Sequence, residues 1–127
     1  MKRALFALLL VSLPAGAHHS FGATYDVAKE VTIKGTLVQI SLRSPHSFFY
    51  VEGEDAKGVL QRWSVEGASS AQFAQQGVDR AAFKVGDRVE VIANPARSAE
   101  SLRGRLLKIT RPSDGRSWGS RAGETVN

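Results

Sequence analysis

The chain has three histidines, His18, His19 and His46, and no cysteine. Thiolate chemistry is therefore excluded, and nitrogen ligation of a metal is the chemistry that these side chains could do. His18 and His19 directly follow Ala17, the last residue of a small-x-small cleavage signal formed with Ala15. A cut after Ala17 makes His18 the N-terminal residue. Its free α-amine and its imidazole Nδ1 can then chelate one metal together, and a further imidazole completes a T-shaped set of three nitrogens. Amine and imidazole nitrogens in tetragonal geometry suit Cu(II). An α-amine with a pKa of about 8 gives up its proton to a metal near neutrality at modest cost. The third nitrogen comes from His19 or from His46. Without that cut, the two histidines are only polar residues beside a processing site.

Glu66 closes the segment Trp63-Ser64-Val65-Glu66-Gly67. By strand alternation it shares a face with Arg62 and Ser64, away from Trp63 and Val65. It is either a surface carboxylate near Arg62 or, at a strand end, a metal ligand or an acceptor for an imidazole N–H. Whether His46 can meet the N-terminus is a question of reach. The first strand spans roughly 40 Å at about 3.3 Å per residue. The segment 18–30 also spans at most about 40 Å. The leader is therefore expected to reach His46 only by running back along the first strand, nearly fully extended.

The elements that must position these residues begin after the export signal. Met1-Lys2-Arg3 is basic, residues 4–13 are apolar except for Ser12, and Pro14-Ala15-Gly16-Ala17 provides the cut. This is the layout of a secretory signal peptide, and the apolar run is about half of what a membrane span needs. The chain is expected to be periplasmic or secreted, with no transmembrane segment. Removal of Lys2 and Arg3 takes the formal net charge from +5 to +3. The remaining 110 of the 127 residues suffice for one small domain with one core. No Cys follows the signal to carry a lipid, and no disulfide can form.

Residues 18–30 read as an extended leader, 31–112 as the folded domain, and 113–127 as a flexible polar tail. Five strands are expected, over residues 31–42, 46–52, 59–67, 88–93 and 102–110. In the first, the apolar parity flips between Leu37 and Val38 close to Gly35, which predicts a bulge or a sharp bend. The second (His46-Ser47-Phe48-Phe49-Tyr50-Val51-Glu52) is rich in aromatic side chains suited to a pleated surface. A short helix capped by Ser69 or Ser70 and ended by Gly77 separates the third strand from the fourth. This order predicts an all-β fold, a small five-stranded OB-like antiparallel barrel with one short helix.

The residues also carry a resemblance. The start His18-His19-Ser20-Phe21, then Tyr25-Asp26, Gly35-Thr36-Leu37-Val38, Ser44-Pro45-His46, Trp63-Ser64-Val65-Glu66-Gly67 and the Gly86-Asp87 turn follow one another in order. In this the chain resembles a family of small exported bacterial proteins of unknown function that begin His-His-Ser-Phe after the signal peptide. The likeness covers roughly residues 18–111. It departs from the pattern at Ser44, where the family has Asn, and in the Arg-rich tail. It implies no activity, but it marks His18, His19, His46 and Glu66 as the positions of interest.

Other function classes fare worse. An OB-like barrel with aromatic residues and Arg97, Arg103, Arg105 and Lys108 could bind single-stranded nucleic acid, but export removes the chain from that partner. No Cys, G-x-S-x-G or H-E-x-x-H pattern is present, so no catalytic residue and no enzyme activity are expected. Glu52, Glu54 and Asp55 fall at a strand end and turn, where solvated charge is the ordinary state. Two expectations remain. One is an exported β-barrel protein that binds copper through His18, His19, His46 and Glu66. The other is a non-catalytic interaction module for another exported protein or a small ligand, with no metal. Sequence gives no oligomeric state.

Overall fold

The computed structural model describes residues 21–78 and 81–119. A four-residue helix, α1 (Phe21–Thr24), leads into β1 (Val31–Ser41), β2 (Ser47–Glu54) and β3 (Leu60–Gly67). Helix α2 (Ser70–Gln75) follows, then β4 (Arg88–Pro95), β5 (Arg103–Arg111) and β6 (Arg116–Gly119).

The strands form one sheet in the order β3-β2-β1-β4-β5-β6, and a further pairing of β3 with β5 closes the first five strands into a barrel. The closing pair is parallel, with Glu66 opposite Arg105, so the barrel is mixed rather than wholly antiparallel. The all-β barrel expected from the strand order is the fold observed. The parity flip in β1 is also present: its register with β2 shifts between Leu37 and Gln39. Such a bulge bends the strand and lets one strand serve two neighbours. β1 pairs with β4 from Val31 to Thr36 and with β2 from Thr36 to Ser41. Gly35 lies where these pairings meet. A Cβ there would stand 2.1 Å from the carbonyl oxygen of Glu52, so the crossing requires glycine.

Alternation sorts the aromatic run as a pleat demands. Phe49 is fully buried, while Phe48 and Tyr50 are half-buried on the other face. The core is filled by Leu37, Phe49, Val65, Phe73, Leu106 and Ile109, among others. Helix α2 adds the fully buried Phe73 to this core, where its ring meets Phe49 edge-on. Its N-cap is Ser69, in a capping box with Gln72, and Gly77 beyond it has φ +72°.

Two further expectations differ from the structure. Residues 116–119 are strand β6, where a flexible tail is expected, and Trp118 is 1% exposed. The Asp114-Gly115 turn, with Gly115 at φ +71°, folds this segment back on β5 and buries the indole against Phe83, with ring centroids 4.1 Å apart. The Ser- and Arg-rich composition hid one aromatic that anchors it. The third strand begins at Leu60 rather than at residue 59, and Val59 is 55% exposed.

Candidate functional site

The closure of β3 on β5 gathers residues far apart in sequence at one rim of the barrel. Glu66, at the end of β3, pairs with Phe48 on one side and Arg105 on the other. His46 immediately precedes β2. Its turn is held by Ser47, whose N–H donates to Ala68 O at 2.9 Å and whose Oγ donates to Arg43 O at 3.3 Å. The Ser44–Pro45 bond within it is cis.

The leader reaches this rim by a route other than the one expected. It does not run back along β1. Tyr25 bridges to Ala96, Asp26 N–H donates to Pro95 O at 2.9 Å, and Arg97 N–H donates to Thr24 O at 3.0 Å. The segment after β4 thereby holds residues 24–26 beside the start of β5, and α1 turns Phe21 toward the turn before β2. The reach estimate failed because it treated β1 as a straight rod between its ends. In the closed barrel the start of β5, beside which the leader docks, pairs with the end of β3, and the end of β3 pairs with the start of β2 next to His46.

The resulting cluster centres on the Glu66 carboxylate. The buried Tyr25 hydroxyl donates to its Oε2 at 2.5 Å, and Arg103 Nη2 lies 4.0 Å from the same oxygen. Its Oε1 lies 3.2 Å from His46 Nδ1. That approach is within ion-pair distance but does not form a hydrogen bond, and the buried Nδ1 has no other hydrogen-bond partner among the described residues. The Phe21 ring meets His46 edge-on, with centroids 5.4 Å apart, and carries the Arg105 guanidinium 4.4 Å above its own centroid. Burial, then the hydrogen bond that the phenol donates to Glu66 and the carboxylate's charge, raise the Tyr25 phenol above the ordinary tyrosine range and keep it a donor. Phe21, His46, Glu66 and Arg105 line a pocket of about 280 Å³ together with Pro45, Gln72 and others, whereas Tyr25 and Arg103 are not part of its lining.

Of the four residues singled out from sequence, His46 and Glu66 are brought together. His18 and His19 lie outside the described residues. Among the described residues, no group of three or more His, Asp or Glu is placed to hold a metal ion. Glu66 faces the imidazole and the phenol rather than Arg62, which instead donates to Gln39 at 3.0 Å. Sequence reasoning missed Tyr25 and Phe21 as members of the site. The available signal was the two aromatic rings of the leader, which in a small barrel are natural docking anchors.

No curated protein and no solved structure matches the chain. One family model matches residues 7–104, a stretch that includes His46, Glu66, Tyr25 and the seam strands up to Gly104. The chain therefore belongs to that family, a family of unknown function (DUF6152).

Proposed function

We propose that the protein is exported and binds a metal ion, copper by preference, at the barrel rim. The ligands are the α-amine and Nδ1 of His18, with a further nitrogen from His19 or from His46 Nε2. The observation that carries the reading is the contact of Phe21 with His46 beside Glu66. Phe21 is three residues from His18, and three peptide units span at most about 11 Å. His46 is therefore within reach of an N-terminus created at His18. The donor chemistry fits as well. A carboxylate at Nδ1 orients an imidazole and leaves Nε2 for a metal, and such a partner raises the basicity of the ligand nitrogen. Glu66 Oε1 lies 3.2 Å from His46 Nδ1 and Glu66 is itself steadied by Tyr25, so a small turn of the imidazole would align the Nδ1–H with the carboxylate. In this reading Glu66 orients a ligand and does not bind the metal itself.

The test is a Cu(II) titration, followed by EPR, of protein carrying an authentic His18 N-terminus. One equivalent should bind with a nitrogen-rich signal. A form extended by one residue before His18 should bind about tenfold or more weakly; His46→Ala should do the same where His46 supplies the third nitrogen and should change nothing where His19 does. Equal binding by the extended form would remove the chelating N-terminus from consideration. That result would favour the second reading, a metal-free pocket for a small ligand, to which the Arg105 guanidinium over Phe21 gives its one specific feature.

A further inference from the structure

β1 leaves β4 at Thr36 but stays with β2 as far as Ser41. The parting point is fixed by the turn before β4. Gly86 N–H donates to Leu37 O at 2.7 Å, and Leu37 N–H donates to Asp87 O at 2.9 Å. Beyond Leu37, the edge of β1 turned away from β2 has no strand partner among the described residues. A groove of about 560 Å³ opens there. Its floor is Phe49, Val78 and Phe83, all core residues, and its walls are Leu42 and Val85, the latter 66% exposed. It shares no lining residue with the rim pocket.

Two cations border this apolar recess, Arg43 and Lys84. Their backbones are tied down. Arg43 N–H donates to Ser47 Oγ at 3.2 Å, its carbonyl accepts from Ser70 N–H at 2.8 Å, and Lys84 N–H donates to Asp87 Oδ2 at 3.0 Å. Their charged ends have no ion pair or side-chain hydrogen bond among the described residues. The carboxylate nearest Lys84 in sequence, Asp87, is occupied by Arg111 Nη1 at 3.0 Å. The groove thus has an apolar floor and two cations at its border that form no ion pair among the described residues, Lys84 acting on the Asp87 carboxylate only through its field.

We propose that this groove binds a small amphiphilic anion, a carboxylate or phosphate head on an alkyl or aryl body. The head pairs with Arg43 and Lys84, and the body lies on Phe49, Phe83 and Leu42. Its volume is in the range of small-molecule sites, which are mostly apolar with a few orienting polar groups. An extended peptide added to the free edge fits less well. That edge ends at Arg43, whose N–H and C=O are already taken, so only a short ladder could form.

Trp118 reports on the groove, because its ring packs on Phe83. In Trp63→Phe it is the single tryptophan of the chain. Dodecanoate, dodecyl phosphate, dodecanol and dodecyltrimethylammonium are titrated below their micelle concentrations while Trp118 emission is followed. The two anions should give saturable changes and bind about tenfold or more tightly than the alcohol, as charge-assisted contacts require. The cation should do no better than the alcohol. Arg43→Gln with Lys84→Gln should abolish the preference for anions and leave dodecanol binding unchanged. Val85→Asn, at an exposed wall, should weaken all four ligands. The tighter of the two anions identifies the head group. The proposal is overturned if anion and alcohol bind equally, if the double variant keeps the preference, if no saturable change occurs, or if Arg105→Gln at the rim removes it instead. It is also overturned if a Val-Glu alternating decapeptide displaces dodecanoate at lower concentration than either anion.

Discussion

Glu66 is the residue on which the rim depends, because three side chains from three separate segments address one carboxylate. Tyr25 contributes most directly, being buried and within 2.5 Å. Tyr25→Phe keeps the ring and removes the donor. It should lower stability by about 1–2 kcal/mol, the cost of leaving a partly buried acceptor without its bond, as measured by urea unfolding at neutral pH. If the proposed copper site is correct, the same change should also weaken Cu(II), because a carboxylate free to turn no longer orients His46. His46 and Glu66 were legible in the sequence, since a histidine after a proline and a carboxylate at a strand end both stand out by type. Tyr25 was not. Its role depends on a partner 41 residues away, and no local pattern encodes that distance.

At the scale of elements, the strands announced themselves by alternation and the helix by its cap, whereas the last strand did not. β6 is four residues long, and its sequence reads as polar apart from Trp118. It is held by contacts that alternation cannot show. Arg111 donates to Ala82 O at 2.6 Å and pairs with both Asp87 and Asp114, and its guanidinium lies 5.8 Å and 6.0 Å from the ring centroids of Phe83 and Trp118. Trp118→Ala should cost about 3–5 kcal/mol, the usual loss for a fully buried large aromatic, and should loosen Phe83 with it. Guanidinium unfolding measures the loss. Amide exchange should show faster exchange across β6 and the end of β5, with β1 to β3 less affected. A cost under about 1 kcal/mol would mean that β6 is an ornament on the barrel and not part of its core.

At the scale of the whole molecule, stability should have a plateau in pH with a distinct cause at each end. Asp26, Asp87 and Asp114 are held below their ordinary value of 3.8. The first causes are the Lys29 hydrogen bond for Asp26, the Lys84 backbone N–H for Asp87 and the Arg111 hydrogen bond for Asp114. A carboxyl with a lowered folded pKa contributes stability above its unfolded value and loses it as the pH falls. Tyr25 is shifted the other way, first by burial. Its contribution is complete below the ordinary value of 10.0 and is lost as the pH rises beyond it. Thermal unfolding across the pH range should therefore show a fall below about pH 4 and another above about pH 10, and Tyr25→Phe should blunt the second. The barrel itself was legible from strand order, but the meeting of its two ends was not, because closure is a property of the sheet and not of any segment. That closure also bears on the order of folding. Hairpins such as β1–β2 and β2–β3 join neighbours in sequence and can form early, whereas β3 against β5 and Tyr25 against Ala96 are long-range contacts with a larger loop-closure entropy. The rim assembles only when the fifth strand has docked. A nascent or truncated chain that stops before Arg103 lacks the β5 half of the seam that brings Arg105 beside Glu66. The rim is thus a record that the chain has finished folding.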